Sequence, residues 1–243
     1  MNSYVFEPDV VTSAHVAGSD ARFPVGRIYC VGRNYADHAI EMGVDPRAEP
    51  PFFFLKPGDT MVSSPQGVVD VPYPPLTGNL HHEAELVVAI GKVGANIAAD
   101  QAFDHIWGYA IGVDMTRRDL QLGMRKAGKP WEIGKTFERC APIGLIVPVA
   151  QTGEILNGHI GLTVGGQTRQ SSNLSKLIWS VNEIIATLST LFVLRPGDLI
   201  FTGTPEGVGP VVTGDVMVAS IEGLGELRIS VSAQNHAELG RSS

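Results

Sequence analysis

Apolar residues in this chain come in short runs, cut apart by glycine, proline and small polar clusters, and few runs are long enough for a helix. With 28 glycines and 16 prolines among 243 residues, that punctuation predicts a strand-rich protein with tight connections. Strands are expected over 27–31, 52–55, 68–71, 83–90, 107–113, 143–147, 161–164, 199–202, 216–221 and 226–231. Leu162-Thr163-Val164, then Gly165-Gly166, then Gln167-Thr168 predicts a hairpin closed by a two-residue turn.

Three segments carry a helical period instead. Over 181–192, Val181, Ile184, Ile185, Leu188 and Leu191 recur at helical spacing, and Ser180 with Glu183 three positions on forms a capping box. A second helix is expected from Arg117 to about Ala127, with Thr116 as N-cap and Gly128 as its stop; its apolar face, Leu120 and Met124, is thin. A third, short helix covers about 35–42.

Composition narrows the class of protein. No linker or charge block divides the chain, so one domain over 1–243 with a short lead-in over 1–25 is expected. Hydrophobic residues make up 44% and charged residues 18%, ordinary for a soluble protein, and no apolar run reaches the roughly 18 residues of a membrane span. The net charge of −7 argues against a nucleic-acid partner, because only Arg117-Arg118 and Arg125-Lys126 bring basic residues close together. The first residues, with Glu7 and Asp9, lack the basic-then-apolar order of a signal peptide, which predicts a cytoplasmic protein. Cys30 and Cys140 make no metal-type spacing and are expected as buried thiols.

Candidate chemistry centres on His81-His82-Glu83-Ala84-Glu85-Leu86. On a strand, Glu83 and Glu85 share a face with Cα atoms about 7 Å apart. Two like charges there imply either a solvent-facing strand or an added cation. Asp114 follows the apolar run 109–113 and precedes the second helix, so it stands where a strand ends. With the glutamates it makes an all-oxygen donor set suited to a hard divalent ion. His38 and Glu41 lie one helical turn apart, as an exposed pair or as an imidazole oriented by a carboxylate. Arg118 and Gln121 are likewise three apart, either a solvated face or a pair reaching toward Asp114. The stretch 43–51, with its prolines and mixed charges, suits the edge of a moving lid. Thr202 to Gly209 is glycine-rich but lacks the Gly-Lys-Ser/Thr ending of a phosphate loop, so a nucleotide site is rejected. His81 and His82 are assigned supporting hydrogen bonds rather than direct coordination.

Five blocks, in one order over about 27–231, resemble the fumarylacetoacetate hydrolase superfamily: Cys30 to Gly43, Asn79 to Leu86, Gly108 to Asp119, Lys135-Thr136-Phe137 and Thr202 to Gly209. Within it the chain is most similar to the acylpyruvate hydrolases, the fumarylpyruvate hydrolases included. The resemblance implies a mainly β (α+β) fold, a mixed β-sandwich roll with a few short helices, usually homodimeric. It also implies Mg²⁺ or Mn²⁺ on Glu83, Glu85 and Asp114, and a His38–Glu41 pair on a lid that activates water. Lys135 would neutralise the substrate and stabilise an enolate. Arg118, Gln121 and Thr204 would touch a small 2-keto acid, with Arg33 the candidate for its distal carboxylate. The expected reaction is cleavage of the C–C bond of a 3-acylpyruvate, fumarylpyruvate first. An oxaloacetate decarboxylase, or a hydroxymuconate-type isomerase or decarboxylase on the same site, is the alternative.

Overall fold

The structure, a computed structural model, describes residues 4–35 and 47–234. Two broad mixed sheets dominate it. The larger has six strands in the order Val147–Pro148, Ile106–Val113, Ala84–Ile90, Leu199–Phe201, Arg27–Gly32 and Phe52–Pro57. Neighbours in it are antiparallel except Leu199–Phe201 beside Arg27–Gly32. The second has five, ordered Gln167–Asn173, His159–Val164, Val216–Ile221, Gly225–Ser232 and Val68–Pro72, with the last pair parallel.

Burial explains why the central strands read as continuous apolar runs. In Ala84–Ile90, Leu86, Val88 and Ile90 enter a core shared with Ile160, Leu162, Met217, Ile229 and the helix Val181–Leu191. Val87 and Ala89 point the other way, into a second core with Ala14, Phe23, Ile143 and Ile146. A strand covered on both faces has no solvent side, so its period of two disappears from the sequence. The chain is thus mainly β with few helices, and no helix among the described residues is long and apolar enough to cross a membrane.

The helix Val181–Leu191 has its capping box: the Glu183 N–H donates to Ser180 Oγ at 3.3 Å and the Ser180 N–H to Glu183 Oε2 at 2.9 Å. It buries Val181, Ile184, Ile185 and Leu188, the face its spacing predicts. The hairpin forms where expected, with Val164 opposite Gln167 and φ of 56° and 79° at Gly165 and Gly166, angles that favour glycine. Cys30 and Cys140 are buried and free.

Three expectations fail. The strand placed over 83–90 is broken at Glu83: Leu80–His82 leaves to join a three-stranded sheet between Thr116–Arg117 and Gly209–Val211, and Ala84–Ile90 begins afresh. The run 143–147 is no continuous strand; Ile143 and Ile146 are fully buried and make only isolated bridges, to Gly112 and Val16, and a strand begins only at Val147. Thr116 does not cap the second helix, which spans Arg118–Lys126; it lies in a short strand opposite His81, and its hydroxyl is engaged elsewhere. The hairpin of Ser13–Val16 with Ser19–Pro24, and the extension of the second hairpin arm from Thr168 to Asn173, carry too little alternation to be foreseen. The short helix expected over 35–42 lies, Tyr35 aside, outside the described residues.

Candidate metal centre

Register places the acids. Ala84–Ile90 and Ile106–Val113 pair antiparallel with Ala84 opposite Val113 and Glu85 opposite Gly112, so the next residues outward, Glu83 and Asp114, meet at the sheet's end. The Asp114 N–H closes that end on the Glu83 carbonyl at 2.8 Å. Glu83, Glu85 and Asp114 are all buried and each brings an oxygen within 4.8 Å of the others. The break at Glu83 therefore leaves the expected convergence intact.

Cations surround two of the three acids. Lys135, 3% exposed, donates to Glu83 Oε2 (2.9 Å), Asp114 Oδ2 (2.7 Å) and Thr116 Oγ1 (2.9 Å). All of its ammonium N–H groups are thereby engaged by protein acceptors. Arg118 pairs with the second oxygen of Glu83, and its other amine donates to Gln121 Oε1 at 3.2 Å. Lys56, fully buried near the end of the edge strand Phe52–Pro57, stands 2.9 Å from Asp114 Oδ1 and donates to the carbonyls of Met115 (3.2 Å), Cys140 (3.3 Å) and Lys135.

Glu85 has no such partner. No ion pair reaches it among the described residues, and it accepts one hydrogen bond, from the Gly203 N–H at 2.6 Å. Burial, then Asp114 and Glu83 beside it, push its pKa well above the usual carboxylate range. Glu83 goes the other way: burial opposes ionisation, but Lys135 and Arg118 outweigh it and hold the carboxyl below its ordinary value. A buried carboxylate without a counter-charge, facing two further carboxylate oxygens, fits a hard divalent cation bound through oxygen.

The flanking groups hold this geometry. Gly203, at φ +100°, turns its N–H onto Glu85, and a Cβ there would come within 2.7 Å of Asn34 Cβ. Asn34 itself is buried and donates to the carbonyls of Thr202 (2.8 Å) and Trp179 (2.9 Å). His81 is pushed down to about 4, first by burial and then by Arg118 and His82. As a neutral ring it accepts from Arg118 Nε at 3.4 Å and donates to Asn79 Oδ1 at 2.9 Å. His82 is buried and bonded through Nδ1 to Gln170 Oε1 at 3.1 Å.

Of the residues expected at the site, Glu83, Glu85, Asp114, Lys135, Arg118 and Gln121 form one connected cluster, and the loop bearing Thr204 touches it through Gly203. Arg33 is exposed, with a backbone φ of 56°, and no hydrogen bond among the described residues ties it to the acids. His38 and Glu41 lie outside the described residues. Sequence reading missed Lys56, Thr116 and Gln170. A lysine closing the run Phe52-Phe53-Phe54-Leu55 was the one available hint; a polar strand gives no sign of which glutamine turns inward.

The family model described as fumarylacetoacetate (FAA) hydrolase C-terminal matches residues 27–232. A fumarylpyruvate hydrolase from a Ralstonia species is 52% identical over 188 residues, covering 77% of this chain and 96% of that protein. An oxaloacetate tautomerase from Escherichia coli is 37% identical over 202 residues, covering 83% and 90% respectively. Among solved structures, the fumarylpyruvate hydrolase from Pseudomonas aeruginosa in complex with Mn²⁺ and pyruvate superposes with a TM-score of 0.91 at 54% identity, covering 96% of this chain and 100% of that one. By fold, by buried acidic cluster and by these likenesses, the chain belongs to the fumarylacetoacetate hydrolase family.

Proposed function

We propose that this enzyme, a hydrolase of carbon–carbon bonds, cleaves a 3-acylpyruvate in a divalent-metal-dependent reaction, with fumarylpyruvate and water giving fumarate and pyruvate. The observation that carries the reading is the buried acidic trio in which Glu85 alone lacks a cation. The higher identity to fumarylpyruvate hydrolases than to the oxaloacetate tautomerase supports the choice of acyl group.

Mg²⁺ or Mn²⁺ on Glu83, Glu85 and Asp114 would supply a Lewis acid and a template for the two oxygens of a 2-keto carboxylate. Lys135 helps hold the Glu83 carboxyl ionised and, by donating to both Glu83 and Asp114, aims the two acids inward, and its buried charge lowers the cost of negative charge developing on the ligand. Arg118 fixes the Glu83 carboxylate while it orients the Gln121 amide, whose nitrogen then faces the ligand. Thr204, one residue beyond the Gly203 anchor, donates to a ligand oxygen. His38, oriented by Glu41, takes the proton of the attacking water. Asn34 roots that segment beside Thr202, and His38 is four residues on, within roughly 14 Å of chain. One catalytic domain acting as a cytoplasmic homodimer on a small keto acid completes the reading.

A second reading, turnover of oxaloacetate, is favoured by the tautomerase likeness. Side-by-side rates on fumarylpyruvate, acetylpyruvate and oxaloacetate with Mg²⁺ or Mn²⁺ decide between them. Fumarylpyruvate is expected to dominate; dominant oxaloacetate turnover would overturn the ranking.

A further inference from the structure

Gln170 is 1% exposed and reaches from the strand Gln167–Asn173 of the five-stranded sheet into the seam between the acidic cluster and the loop after Leu199–Phe201. Every hydrogen-bonding group of its amide is engaged. Oε1 accepts from the Ala84 N–H at 3.0 Å and meets His82 Nδ1 at 3.1 Å, while Nε2 donates to the Pro205 carbonyl at 3.0 Å and to Thr204 Oγ1 at 2.8 Å.

The orientation of this amide is not free. Ala84 N–H is a donor only and the Pro205 carbonyl an acceptor only, so exchanging oxygen for nitrogen would set donor against donor and acceptor against acceptor. Nε2 therefore faces Thr204. A threonine hydroxyl has one proton and two lone pairs, and one lone pair is committed to Gln170. The proton cannot lie along that same direction and is left for another acceptor. Half-buried Thr204 follows Gly203, whose N–H is on Glu85.

We propose that Gln170 is a positioning residue that commits the Thr204 hydroxyl to donating toward the bound keto acid. The same side chain ties the backbone next to Glu83 to the loop next to Glu85, so the donor and the acids share one register. The inference rests on the reading of Thr204 as a ligand contact; it is indifferent to which keto acid is turned over.

A double-mutant cycle on the Mn²⁺-loaded enzyme tests it, run on whichever of fumarylpyruvate and oxaloacetate the enzyme consumes. Thr204→Val removes the donor. Gln170→Glu keeps the acceptor for Ala84 and His82 but presents a second acceptor to Thr204, so the hydroxyl turns its proton to the protein. Each is expected to lower kcat/KM about tenfold or more, the worth of a hydrogen bond to a charged group. The double variant should lose no more than the worse single one, and Thr204→Ser should retain activity. Mn²⁺ affinity, read by electron paramagnetic resonance, should hold in all of them, which a general collapse of the site would not allow. Gln170→Met, which removes the amide donor to Thr204 without adding charge, provides the same cycle should Gln170→Glu fail to fold. Additive losses, or a Gln170→Glu enzyme as active as the unaltered one beside an impaired Thr204→Val, would overturn the inference. So would a fully active Thr204→Val. Loss of the fumarylpyruvate assignment alone would leave the cycle readable on oxaloacetate.

Discussion

Lys56→Met isolates the contribution of the least expected charge at the site. Methionine keeps nearly the whole unbranched stem and its packing, and removes only the ammonium. Lys56 is 0% and Asp114 1% exposed by side chain, with 2.9 Å between charged atoms. No water can take over the solvation that Lys56 supplies. Burial disfavours its charged form, yet Asp114 outweighs that and the pKa stands above the ordinary lysine value, so Lys56 carries its charge at neutral pH. Removing one member of such a pair leaves a buried charge uncompensated, at a cost of about 3–5 kcal/mol. Lys135 still contacts Asp114 Oδ2 and softens the loss, whereas the carbonyls of Met115, Cys140 and Lys135 each lose a donor and deepen it. Urea unfolding of the metal-free protein measures the difference, with Lys56→Arg retaining part of the stability as the charge-keeping control. A loss below about 1 kcal/mol, as for an exposed pair, would refute the argument that this lysine is a structural counter-ion.

His38→Ala and Glu41→Gln are expected to lower kcat about 10²- to 10⁴-fold while keeping Mn²⁺, whereas Glu83→Gln loses both metal and turnover; steady-state rates paired with metal titrations check this, and a fully active His38→Ala would end the general-base assignment. Ser180→Ala should destabilise the protein by about 1 kcal/mol in chemical unfolding, since it removes one half of the capping box. Burial opposes ionisation of Glu183, but hydrogen bonds from Arg47 and from the Ser180 backbone and hydroxyl outweigh it and hold its folded pKa below the usual value of 4.5. Its contribution is therefore present above about pH 4.5 and disappears as the pH falls through the lower, folded pKa. Melting curves down to pH 3 should show that loss in the native chain and not in Glu183→Gln.

The parts legible in the sequence are those whose cause is local. The helix Val181–Leu191 could be placed because its cap lies three residues from its partner and its buried face repeats every turn. The hairpin at Gly165-Gly166 could be placed because positive φ at both turn positions leaves few residue choices. Nine of the ten expected strands have counterparts, and 143–147 fails as a continuous strand because its buried isoleucines make single bridges to two different neighbours, Gly112 and Val16. Glu83, Glu85 and Asp114 were legible as a possible all-oxygen donor set, with a solvent-facing strand left open by their spacing and the metal implied by the family resemblance.

Identity and order of residues thus determined a β-rich chain, its capped helix and its tight hairpin, and marked three acids as a candidate donor set. Only the tertiary structure decided which cations the acids already have. Lys56 lies on an edge strand 58 positions before Asp114, and Gln170 on another sheet 88 positions beyond His82, so no local pattern couples them. Charge and hydrogen-bond satisfaction are settled between groups that meet only after the sheets pack, and burial then makes each unpaired atom costly enough to dictate its partner. That late accounting leaves Glu85 without a counter-ion and marks where a metal fits.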